Sequence, residues 1–114
     1  VISTSTSYAK WTKALTGSNG IDYIDLEKIR KIDGFVYYWI MGDYNKPTEY
    51  GYLSAKFYIQ GDCRMFRTKL LSGILFKEPM GGGTGKMQTI NGDWVYPPPD
   101  TPAETFLTTV CNQN

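Results

Sequence analysis

Cys63 and Cys111 are the only cysteines in this chain of 114 residues, so a single intramolecular pairing exists. If formed, it closes a loop of about 49 residues, which the chain-entropy model credits with roughly 4 kcal/mol. A persistent bond implies an oxidising compartment: periplasm, cell surface or outside. The competing reading is two unrelated buried thiols in a cytosolic protein. Both cysteines fall on apolar faces of expected elements, which favours the bond. Around Cys111 the sequence predicts a short helix. Thr101 is its N-cap, Pro102 its first residue, and Glu104 completes a Thr-x-x-Glu capping box. Ala103, Phe106, Leu107, Val110 and Cys111 then recur at helical spacing on one apolar stripe. So short a helix is marginal alone in water and must lie on something.

The rest of the chain reads as strands. Residues 1–7 are a Ser/Thr-rich lead-in, and 8–114 form one domain. Tyr8 to Leu15 alternates and predicts a strand with Trp11 inward. A Gly17–Gly20 turn leads to a second strand, Ile21 to Asp25. Leu26 to Ile32 is ambiguous between a helical turn and a strand, and the hairpin signal Asp33-Gly34 tilts it towards strand. Phe35 to Met41 is apolar on both faces, the mark of a central strand covered on both sides, at least in part. One helix covers one side; the other needs a loop, a curled sheet or a second subunit. After a polar connection from Gly42 to Gly51, Leu53 to Cys63 alternates. Ala55, Phe57, Ile59 and Cys63 face the core, with Ser54, Lys56, Tyr58, Gln60 and Asp62 opposite. Arg64 to Phe76 is a further strand, with Phe66 and Leu70 facing away from Arg67, Lys69 and Leu71. A glycine-rich hairpin loop, Met80 to Gly85, reads as a mobile tip and precedes a short strand, Lys86 to Ile90. Pro97 to Pro99 then makes a stiff spacer. The expected fold is α+β: an antiparallel meander of about six strands, with one C-terminal helix packed on it and tethered by the disulfide.

Several function classes are excluded or disfavoured. The chain has no histidine, which rules out Ser-His-Asp and Cys-His sites and removes the commonest metal ligand. Asp22 and Asp25 point to opposite faces of a strand, so they make no acid/base pair. The glycine loop is not a P-loop, because Met80 stands where the first glycine is required and Met87 follows Lys86. A formal net charge of +1 gives no global field for nucleic acid or anionic membrane. No stretch approaches the ~18 apolar residues of a membrane span. The opening Val1 is the expected start of a processed chain whose signal peptide has gone. No cofactor, metal site or catalytic residue is expected.

An ordered set of residues resembles a known family. Its members are Trp11; Tyr23-Ile24-Asp25 with Ile29; Gly34; Trp39 with Asp43-Tyr44 and Pro47; Ser54-Ala55-Lys56; Asp62-Cys63 with Arg67; Trp94; and Cys111. This pattern is similar to the surface-adhesin protein E family of Gram-negative bacteria, over Trp11 to Cys111. The resemblance implies a small exported domain: an antiparallel sheet whose C-terminal helix is held by a disulfide. It also implies binding to host matrix and plasma proteins and a capacity to dimerise. The chain departs from the family's lipoprotein version in lacking a cysteine near its N-terminus.

The expected function is therefore that of an exported, non-enzymatic binding protein, with protein or glycan partners at the cell envelope or a host surface. The alternative is a structural subunit of a homo-oligomer. Two groups of residues are the candidate recognition surface. Tyr37, Tyr38, Tyr44, Tyr50 and Tyr52 cluster around the central strand and the loop after it. Core packing is the better account of Tyr37, while Tyr44, Tyr50 and Tyr52 stand in loop context, and aromatic residues are enriched at interfaces. Lys56, Tyr58, Arg67 and Lys69 form an outward basic and aromatic stripe, with a solvated sheet face as its bland reading. A small pocket lined by Trp11, Trp39 and Trp94 is a further candidate.

Overall fold

The computed structural model describes residues 10–113. The expected lead-in and the expected strand start at Tyr8 lie outside the described residues. Seven strands among those described form one antiparallel sheet: β1 (Trp11–Gly17), β2 (Gly20–Asp25), β3 (Arg30–Ile32), β4 (Phe35–Tyr44), β5 (Ser54–Asp62), β6 (Arg67–Phe76) and β7 (Lys86–Thr89). Their order across the sheet is β1-β2-β4-β5-β6-β7, and β3 pairs with β4 beyond the end of β2. The helix α1 spans Pro102–Cys111.

The local chemistry explains these elements. At the β3–β4 hairpin, Asp33 and Gly34 both take positive φ, 53° and 85°. That is the twist-compatible form of a two-residue turn, and glycine enters it without penalty. The ambiguous Leu26 to Ile32 resolves into both alternatives. Asp25, buried, accepts a hydrogen bond from the Glu27 amide and starts a 3₁₀ turn at Leu26–Lys28; a short strand follows. α1 has the expected cap: the Thr101 hydroxyl accepts from the Glu104 amide at 3.3 Å. Glu104 reaches back to the amide of Asp100 rather than that of Thr101.

The core lies between α1 and one face of the sheet. Phe106, Leu107 and Val110 pack on Ile24, Val36 and Tyr38, with Ile40, Ile59 and Cys111 at the margin. Gly61 lies beneath the helix, where a Cβ would meet Leu107 Cδ1 at 2.8 Å and Val36 Cγ2 at 2.9 Å. The helix therefore seats on β4 and the glycine end of β5. The expected seat is borne out at Ile59, which packs against this cluster, while Ala55 and Phe57 share that sheet face outside it; Ala103, expected on the stripe, is exposed. Cys63 is not part of β5: it follows the strand, in the turn before β6, and is an exposed residue. The disulfide joins it to Cys111 with Cα atoms 5.7 Å apart. The expected bond is therefore present, and it ties the end of α1 to the turn after β5.

The two strands flanking that turn are shorter than expected, because Asp62 organises the turn. Its carboxylate accepts from the amides of Arg64 and Met65, each at 3.1 Å, and from Arg67 Nε at 3.0 Å. These bonds, first that from Met65, hold its pKa below the ordinary carboxylate value against the opposing effect of burial.

Candidate functional site: the open face of the sheet

The pleat of β4 divides its side chains cleanly. Val36, Tyr38 and Ile40 face the helix; Phe35, Tyr37, Trp39 and Met41 face the other way. Opposite the second set, β5 contributes Asp62, Gln60, Tyr58 and Lys56, and β6 contributes Arg67, Lys69, Ser72 and Ile74. Antiparallel partners share a face, so the register alone assembles an aromatic and cationic surface on the side away from α1.

Two loops cover part of it. The chain at Pro79–Gly81 folds back over Met41 rather than standing as the mobile hairpin tip expected. The buried Ser54 hydroxyl donates to the Glu78 carbonyl at 2.6 Å and accepts from the Gly81 amide at 2.8 Å. Asp43 accepts from the Met80 amide at 2.8 Å. Gly81 is favoured by its conformation, with φ at 68°, and a Cβ there would displace the end of the Lys56 side chain, 2.6 Å away at Cε. At the other end the Leu26–Lys28 turn and Ile29 form a wall. Between the two lies an open hollow of about 590 Å³ lined by Trp11, Trp39, Tyr58, Lys56, Ile74 and Ile29, with Asp25, Glu27, Lys28 and Arg30 at its rim.

The aromatic rings of this face are in contact. Trp39 and Tyr58 lie 4.8 Å apart and tilted by 31°, and Tyr37 stacks on Tyr58 at 6.0 Å. Gln60 donates to the Tyr37 hydroxyl at 3.1 Å. Lys56 Nζ lies 5.6 Å from the Trp11 ring and 5.2 Å from that of Phe76. Trp94 is on the same face but not in the hollow. It stacks on Phe35 at 5.7 Å under Arg67 at 4.4 Å and Lys69 at 4.8 Å. The expected three-tryptophan pocket is therefore a two-tryptophan hollow with a separate, pinned Trp94.

Of the expected site residues, the sheet brings together Lys56, Tyr58, Arg67 and Lys69. It does not bring Tyr44, Tyr50 and Tyr52 to them. Tyr44 has the parity of Tyr38 and lies towards the helix side, where burial first and the Asp22 carboxylate second push its phenol pKa upward. Tyr50 is 75 % exposed in the loop after β4, and Lys77 lies over the Tyr52 ring at 4.9 Å. Asp22 and Asp25 line hollows on opposite faces, as their spacing requires. Among the described residues no cluster of three or more metal-ligating side chains occurs. Sequence reasoning missed Ile29 and Arg30 as walls of the hollow. Their signal was the 3₁₀ turn before them, which its Asp25 cap could have revealed.

A family model described as surface-adhesin protein E matches residues 11–112. The chain belongs to that family. Its fold agrees with solved structures of protein E from Haemophilus influenzae. Against crystal form II the TM-score is 0.74 at 15% identity, covering 97% of this chain and 94% of that one. A second structure of the same protein gives 0.73 at 15% identity, covering 97% and 90%. At such identity the likeness is one of fold: the antiparallel sheet, the C-terminal helix and their arrangement. No curated protein matches the sequence significantly. No helix among the described residues is long and apolar enough to cross a membrane.

Proposed function

We propose that this member of the surface-adhesin protein E family is an exported, non-enzymatic binding protein. It recognises protein or glycan partners at the cell envelope or a host surface through the open face of its sheet. The observation that carries this reading is the asymmetry of β4. One face is sealed by α1, and the other presents Trp39, Tyr58 and Trp11 half-buried around a hollow with nothing of the described chain seated in it. Half-exposed aromatic rings flanked by Lys56, Arg67 and Lys69 supply contact area at low entropic cost, with charge to orient a partner. The disulfide favours an oxidising compartment, in keeping with an exported protein.

The test is capture of partners from the native envelope by immobilised wild type, by Trp39→Ala/Tyr58→Ala, and by Tyr50→Ala/Tyr52→Ala. Loss in the first variant alone supports the open face. Loss in the second alone moves recognition to the loop after β4. If the captured partner is this same chain, and sedimentation shows self-association lost in the first variant, the face belongs to a homo-oligomer.

A further inference from the structure

We infer that the hollow of the open face is a subsite for a hexuronic acid unit of an acidic polysaccharide. The sugar ring lies on Trp39 and Tyr58, and its carboxylate meets Lys56. This rests on the open face being the recognition surface and assigns the chemistry of what it takes.

The first observation is Lys56 itself. Its stem is held under the backbone of Gly81, and its ammonium sits between the Trp11 and Phe76 rings. Among the described residues no carboxylate lies within ion-pair reach of it. Two acids line the same hollow, and both are engaged elsewhere: Asp25 caps the 3₁₀ turn, and Glu27 lies 3.4 Å from Lys10. A half-buried cation with no carboxylate partner can take an anionic group from outside. Arg30, exposed at the rim, adds positive charge.

The second observation is where the hollow lies. It sits over β4 and β5, interior strands of the sheet; β5 is paired on both sides, and β4 pairs with β5 throughout and with β2 and β3 except at Tyr38 and Trp39. An extended peptide that joins a sheet does so at an edge, through free backbone groups. Recognition here falls mainly to side chains, and those on offer are ring faces with the cations of Lys56, Lys28 and Arg30 around them. Ring faces suit the flat C–H face of a pyranose. The 31° tilt between Trp39 and Tyr58 makes a shallow cradle for such a ring. A hexuronic acid carries its carboxylate as a ring substituent lying near the ring plane. The ring can therefore stack while the carboxylate extends sideways to Lys56. A sialic acid has its carboxylate axial, which opposes stacking and ion pairing at once.

The test titrates a hyaluronan hexasaccharide, with its alternating uronates, into the full chain and follows the indole N–H signals of the three tryptophans by NMR. The neutral comparator is a chitin hexasaccharide, and the sialic acid probe is sialyllactose. The expected result is that Trp11 and Trp39 shift with the uronate while Trp94, pinned under Arg67 and Lys69, does not. Lys56→Met, which keeps the stem under Gly81, should weaken uronate binding about tenfold and leave the weak affinity for the chitin probe unchanged. Added salt should weaken the wild type more than that variant. Indole signals that stay still at about 5 mM uronate, where even a millimolar complex would form, overturn the proposal. So do equal affinities for the charged and neutral probes, a preference for sialyllactose, or an unaffected Lys56→Met. If the uronate fails while Trp39→Ala/Tyr58→Ala still loses its envelope partner, the acidic sugar is rejected and the open face stands. If that variant keeps the partner, the face is rejected with it.

Discussion

Replacing Cys63 and Cys111 together with serine removes a covalent closure across a sequence separation of 48. The loop-entropy relation gives about 13.6 cal/mol/K for such a closure, or about 4 kcal/mol at 25 °C. Unfolding entropy near 2.1 cal/mol/K per residue makes the whole chain worth about 240 cal/mol/K, so the melting temperature should fall by about 17 °C. The native fold should remain. Phe106, Leu107 and Val110 of α1 stay buried against the sheet, at roughly 1.5–3 kcal/mol for each fully buried side chain. Serine adds little disturbance at Cys63, which is exposed. Urea titration followed by tryptophan fluorescence measures the effect, with near-ultraviolet circular dichroism as the check on native packing. The slope of stability on urea should rise, because the unlinked unfolded chain exposes more surface. A loss below about 1 kcal/mol with an unchanged slope would refute the reasoning, since the bond would then not be constraining the unfolded chain.

Three further outcomes are expected. Gly61→Val should destabilise by about 2–3 kcal/mol in urea, because the new side chain is forced into Leu107 and Val36; near-neutrality would mean that α1 shifts freely. Ser54→Ala should cost about 1–3 kcal/mol, since it strands the Glu78 carbonyl and the Gly81 amide, and hydrogen exchange at Gly81 should accelerate. Asp62 contributes stability that is present above its unfolded pKa of about 3.9 and lost as pH falls through its depressed folded value. Thermal melts of wild type should therefore drop more steeply below about pH 4 than those of Asp62→Asn, and parallel acid limbs would count against the Asp62 turn.

Local signals carried much of this fold. Thr101, Pro102 and Glu104 mark the helix start from adjacent residues, and Asp33-Gly34 fixes a hairpin by itself. Two-sided apolarity placed Phe35 to Met41 at the centre of the sheet. What stayed hidden depends on residues far apart in sequence. Ser54 holds the glycine loop from 27 positions away, so that loop read as a free tip. The strand bounds failed at β4, whose Gly42 and Asp43 look like loop residues. Gly42 is tucked beside the Tyr44 ring, and Asp43 is occupied by the Met80 amide. The tyrosine cluster dissolved for a simpler reason: Tyr37 and Tyr38 are neighbours in sequence and lie on opposite faces, and Tyr38 is 1 % exposed. Half of the candidate surface was legible because Lys56, Tyr58, Arg67 and Lys69 obey alternation across one pair of strands. Trp94 could not be placed that way. It enters from the segment after β7, whose path is set by the Val95 bridge to Thr68.

The position of the disulfide also has a mechanical meaning. A pull applied between residues at either end of the described chain passes from Cys111 straight into Cys63 through a covalent bond. β6, β7, the prolines and α1 all hang inside the bypassed loop and carry no tension. With a sequence separation of 48, about 160 Å of contour length is withheld from extension. Tension is borne by β1 to β5, so the strands that floor the open hollow are the ones that feel it. Shear on the chain would therefore act on the strands beneath the open hollow and leave the segment between the two cysteines unloaded.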